Sequence, residues 1–146
     1  MNRFVWRVAP ADRLATLRVL TGAYATVFLL VRWRSYWMIG DLPNRQWEGV
    51  GILSWLHQPL PAPLARLLLI AAIPCGIAFV LGRRHRFIGP AFAILFLVVA
   101  TDRLSFGHVI HTEHLVALQL IVLGFSASAD GWRPGGLRRD EENERY

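Results

Sequence analysis

Residues 67–82 (LLLIAAIPCGIAFVLG) and 87–101 (FIGPAFAILFLVVAT) carry no charge and no polar face. A helix on the surface of a water-soluble fold keeps one side wet and shows polar residues at the helical period. Neither stretch does, so neither suits a position half in water. Two further uncharged runs, 19–31 and 114–129, flank them in the chain. Each run is shorter than the ~20 residues that cross a bilayer, so the spans must extend past their boundary charges. The segments that result are 14–31, 64–81, 87–101 and 109–128. The third is short, and either extends into its flanks or sits where the bilayer thins. The chain is 54% hydrophobic over 146 residues, about the amount that four spans need. The expected fold is all-α: a four-helix transmembrane bundle over residues 1–131, then a polar cytoplasmic tail over 132–146.

The net charge is +6 and the pI about 11.0, a balance that first suggests nucleic acid. No segment, however, is both basic and polar enough to form an exposed groove. All 16 basic residues are arginine, and they sit at the edges of apolar runs, where long side chains reach toward headgroups. The expected partner is therefore the lipid bilayer, with no nucleic acid. The single cysteine, Cys75, excludes an internal disulfide. It reads as a buried structural thiol, and a redox role would need a thiol from another protein. Residues 1–10 hold arginines but no apolar core, so no cleavable signal peptide is expected.

Arg3, Arg7, Arg13, Arg83, Arg84, Arg86, Arg133, Arg138, Arg139 and Arg145 fall on one side of these spans; Arg32, Arg34, Arg45 and Arg103 fall on the other. The positive-inside rule then puts both termini of a multi-pass cell-membrane protein in the cytoplasm. Residues 32–63 are too many for a simple turn. Trp33, Tyr36, Trp37, Trp47 and Trp55 suit a membrane–water interface, and GVGILSWL (49–56) reads as a short interfacial or re-entrant helix. This aromatic loop is expected to lie as a lid on the extracytoplasmic mouth. Asp12 is placed to cap the first helix, Pro74 to kink the second span or free a carbonyl. Gly22/Thr26 and Ala72/Gly76 are small-residue pairs that permit close helix contact.

Arg18 lies one turn into the first span, where an arginine must face the interior or snorkel. It shares a face with Thr21, Gly22, Ala25 and Leu29. It reads either as an arginine that binds an anion or carbonyl, or as a structurally paired or snorkelling one. The second cluster is GHVIHTEHLVALQ (107–119). His108, His111 and His114 sweep around a helix rather than converge, so no metal site is expected, a His111/His114 pair being the weaker alternative. His108, Thr112, Gln119 and Ser126 lie within about 40° of one another, with His111 at one edge. Such a stripe in a membrane helix normally faces the interior. Beside Arg18 it would line a pocket or proton path; alternatively it makes interhelical hydrogen bonds of structural value. Glu113 points away from His108 and is expected at the boundary or paired with Arg103 or a loop arginine. His57 and His85 are read as loop residues. No nucleophile motif, phosphate loop or paired carboxylates are visible.

Several motifs together resemble a known layout. The first span opens R-x-x-x-G (Arg18, Gly22), LP-x-P-L-A (60–65) follows the aromatic loop, and the second span ends G-x-A-F-x-L-G (76–82). The last span opens F-G-H-x-x-H-T-E-H (106–114) and closes F-S-A-S-A-D (125–130). The chain resembles small bacterial inner-membrane proteins related to the vitamin K-dependent gamma-carboxylase-like transmembrane domain (HTTM), and is similar in layout to the DoxX-like four-helix family. True carboxylases of the first family use a lysine base, and this chain has no lysine, so their chemistry does not carry over. DoxX relatives are linked to thiol or quinone redox beside a partner enzyme, and a lone cysteine argues against an independent dithiol cycle. The function expected is a non-catalytic subunit or anchor for a membrane redox partner, with no cofactor evident. The alternative is a small oxidoreductase binding quinone or another small molecule near Arg18, His108 and His111.

Overall fold

In the computed structural model, the described residues are 11–107 and 111–126, with side chains described from 13 to 107 and from 112 to 126. They form five α-helices and two short 3-10 turns, and no strand among them. Helix α1 is Ala11–Val31, α2 Trp33–Ile39, α3 Ala62–Val80, α4 His85–Leu104 and α5 His111–Phe125; the turns are Asn44–Gln46 and Gly51–Leu53. The segments Arg13–Val31, Ala62–Val80 and His85–Leu104 are long and apolar enough to cross a membrane, and Thr112–Phe125 is a shorter apolar helix.

Helix α1 packs on α3 and α5, and α4 packs on α3 and α5. Ala25, Leu29, Leu69, Ala72, Phe79, Phe92, Phe96 and Leu120 meet between them with essentially no exposed surface. The small residues set how closely α1 and α3 approach. A Cβ on Gly22 would stand 2.6 Å from the Phe79 ring, and one on Gly76 would strike the Thr26 hydroxyl. That hydroxyl donates to the Gly22 carbonyl at 2.7 Å, so a polar group inside the packing stays satisfied. Helices α4 and α5 cross at Gly89 and Gly124, where a Cβ on either would lie 2.5–2.7 Å from the other's carbonyl oxygen. Backbones come this near only where no side chain intervenes.

Helix α3 ends in a Schellman motif. The Gly82 amide donates to the Phe79 carbonyl at 3.0 Å and the Arg83 amide to the Ala78 carbonyl at 3.1 Å, with Gly82 at φ +66°. Glycine takes that left-handed position without a steric penalty. The chain then reverses directly into α4. Pro74 lies inside α3, which continues through it as one helix with the proline on its exposed side. Asp12 lies within α1, and its side chain falls outside the described residues.

Helix α4 is longer than the uncharged run 87–101 at both ends. It runs on through Asp102 and Arg103, both of which are buried, and Arg103 is paired there with Glu113. His85, expected in a loop, is instead its buried first residue, 3.1 Å from the Leu123 carbonyl and 5.4 Å from the Phe79 ring. Within 49–56 there is one 3-10 turn, Gly51–Leu53, followed by a turn closed by the Leu56 amide on the Leu53 carbonyl at 3.0 Å, and Gly51 sits at φ +53°, outside the right-handed helical region. The helical piece of this region is α2, which follows α1 after a break at Arg32 and buries Tyr36 and Ile39, three residues apart, on one side.

Candidate functional site

Three of the buried charged side chains, Asp102, Arg103 and Glu113, collect at the junction of α4, α5 and α2. Consecutive residues of the last turn of α4 point about 100° apart, which sends Asp102 and Arg103 to different partners. Arg103 donates from Nη1 to Oε1 of Glu113, on the first turn of α5. Both side chains are almost wholly buried. An ion pair in this position neutralises two charges that neither element could bury alone. Helix α2 supplies the third member, as the Arg103 guanidinium lies 5.1 Å from the centre of the Tyr36 ring. The Tyr36 hydroxyl is buried near the same pair, without hydrogen-bond geometry to a partner among the described residues. Burial, and after it the Glu113 carboxylate, push the Tyr36 phenol above its ordinary value, so it stays protonated throughout the physiological range. Nearby, Arg32 lies 4.9 Å over the Phe28 ring.

Asp102 faces the segment between α2 and α3. It is buried beside the Trp47 indole and the Leu60 backbone. Ser105, one turn beyond Thr101, fastens the same segment: its carbonyl accepts the Glu48 amide at 2.7 Å, its hydroxyl accepts the Val50 amide at 3.3 Å, and that hydroxyl donates to the Thr101 carbonyl at 2.8 Å. A hollow of about one water molecule lies between Tyr36, Leu60 and Asp102.

The aromatic residues divide. Trp37 stacks on Trp33 at 5.4 Å and carries Arg66 over its ring at 5.1 Å, and Arg66 also pairs with Asp41 at 2.7 Å. Trp47 is half-buried beside Asp102. Trp55 is 74% exposed, its indole N–H donating to the Ile52 carbonyl at 2.8 Å.

Arg18 is fully buried. Its guanidinium lies 3.0–3.2 Å from where a Cβ on Gly82 would stand, beside the start of α4. Glu113 pairs with the end of α4. The two positions are therefore separated by almost the length of α4, roughly 25 Å at 1.5 Å per residue. Arg18 and the start of α5 do not converge. Thr112 and Gln119 are exposed and Ser126 is half-buried, so the polar stripe lies toward the outside of α5. His108 and the His111 side chain fall outside the described residues; His114 is half-buried. Among the described residues, no group of three His, Cys, Asp or Glu side chains could hold a metal ion.

Sequence reasoning offered Arg103 as one partner for Glu113 but missed Tyr36 and Asp102 as members of the junction. The signal for Tyr36 was its spacing to Ile39; the signal for Asp102 was its place next to Arg103 within a helical run. A search of protein-family models, of curated proteins and of solved structures finds no match to this chain.

Proposed function

We propose that the chain is a multi-pass integral membrane protein in which α1, α3, α4 and α5 form one four-helix bundle, with both termini cytoplasmic and the 32–63 segment as an extracytoplasmic lid. Its role is that of a non-catalytic subunit or anchor for a membrane redox partner, in keeping with the DoxX-like layout of its motifs. The observation that carries the reading is inverted polarity. Leu20, Val31, Leu115 and Val122 stand on the outside at 62–79% exposure while Arg18, Asp102, Arg103 and Glu113 are buried. Water would reverse that arrangement; a bilayer stabilises it.

The interior charges support a structural role over a catalytic one. Arg103 and Glu113 join α4 to α5, and Asp102 meets the lid. A quinone pocket would need Arg18 together with the start of α5, and these groups do not converge. The test is mild-detergent purification from native membranes at endogenous expression. Recovery in a complex with a redox enzyme is expected; recovery only as this chain alone refutes the subunit role. Reporter fusions at each terminus check the orientation.

A further inference from the structure

On α5, Thr112, Gln119 and Ser126 recur every seven residues, with Leu115 and Val122 three residues after the first two. Thr112, Leu115, Gln119 and Val122 are exposed, and Ser126 is half-buried. The inward side of the same helix is Glu113, Val116, Ala117, Leu120 and Leu123. A 3-4 repeat on one side of a helix is the pattern of a helix–helix seam, and polar residues at one of its positions fix register and partner number.

Gln119 makes the outward stripe hard to leave against lipid. It lies eight residues from His111 and six from Phe125, about 12 Å and 9 Å along the axis. A glutamine side chain is too short to reach headgroups at either end from there. An amide facing hydrocarbon without a partner is strongly disfavoured, so this position calls for another polar group.

We propose that α5 is the seam of a parallel homodimer in the membrane, with Gln119 of each copy facing Gln119 of the other across a twofold axis normal to the bilayer. This rests on the membrane reading above. The occupant follows from chemistry. A primary amide both donates and accepts, so two glutamines at a twofold satisfy each other. Two copies inserted the same way round also bring each seam residue against its own counterpart. Thr112 and Ser126 then meet their equivalents above and below, with Leu115 and Val122 packing between.

The test uses purified full-length protein in phosphatidylcholine/phosphatidylglycerol vesicles. Alkaline extraction of the native membranes comes first, because release of the chain there refutes the membrane reading by itself. On a Cys75→Ala background, Val122→Cys, which leaves Gln119 in place, is expected to form a disulfide between copies on mild oxidation, while Ile77→Cys on the outer side of α3 does not. Energy transfer between labelled copies, measured against lipid dilution, is expected to show Gln119→Leu weakening dimerisation by roughly three- to thirtyfold, with Gln119→Asn retaining part of the association. The proposal is overturned if the wild-type chain is monomeric in these vesicles, if Gln119→Leu dimerises as well as wild type, or if the two cysteine variants cross-link equally. A dimer that forms only after addition of another membrane protein also overturns it, and assigns the stripe to that protein.

Discussion

Removing one member of the Arg103–Glu113 pair should unbalance the junction asymmetrically. Both side chains are at least nine-tenths buried, and breaking a buried pair from one side costs about 3–5 kcal/mol. Glu113→Leu belongs at the upper end. It leaves a buried guanidinium that cannot give up its proton, beside the Tyr36 ring at 5.1 Å. Glu113→Gln keeps a carbonyl acceptor for Nη1 and belongs nearer 3 kcal/mol, a change of roughly a hundredfold in the unfolding equilibrium. Arg103→Met is the milder break, because a buried carboxyl that has lost its partner can shed its charge by binding a proton. Its deficit should therefore shrink as the pH is lowered, whereas that of Glu113→Leu should not. The double variant Arg103→Met/Glu113→Leu removes both charges and should lie within about 1–2 kcal/mol of wild type.

The assay is equilibrium unfolding in mixed micelles followed by tryptophan fluorescence, run as a double-mutant cycle at two pH values. A coupling of at least ~2 kcal/mol is expected. Single substitutions that add to within about 0.5 kcal/mol would show that the two side chains do not act as a pair, and the account of the junction would fail.

Other substitutions probe the remaining contacts. Gly124→Ala drives a methyl to 2.7 Å from the Gly89 carbonyl, which is backbone and cannot swing away, so α4 and α5 must separate at a cost of about 1–3 kcal/mol; a lowered melting temperature in detergent checks it, and an unchanged one refutes the close crossing. Ser105→Ala removes the acceptor of the Val50 amide but leaves the carbonyl that holds the Glu48 amide, so hydrogen exchange should quicken at Val50 and not at Glu48; equal acceleration at both would mean that the hydroxyl is not a separate fastening. Tyr36 has a folded-state pKa above its unfolded value, so its contribution is intact below about pH 10 and declines as the pH rises past that point. Ultraviolet titration should show one of the three tyrosines ionising late, and Tyr36→Phe should remove that late step.

The helices were legible in the sequence because lipid-facing and core-facing residues are both apolar, and a long uncharged run marks a span whichever way it faces. The same property hides rotation. A helix with no polar face, such as 67–82, gives periodicity nothing to read, and the inward positions Leu69, Ala72, Gly76 and Phe79 look like their lipid-side neighbours. In α5 there was a polar stripe, and the expectation that it faces the interior was reasonable for a lone subunit. The structure puts Glu113 inward and Gln119 outward. An ionised carboxylate is far harder to leave in hydrocarbon than an amide, so it takes precedence when one helix cannot bury both. Glu113 and Gln119 are six residues apart, about 120° at 100° per residue, so one rotation of α5 cannot turn both inward. The rotation of α5 was therefore encoded by its strongest charge and by the arginine available to meet it, and the weaker polar residues were left to whatever packs outside.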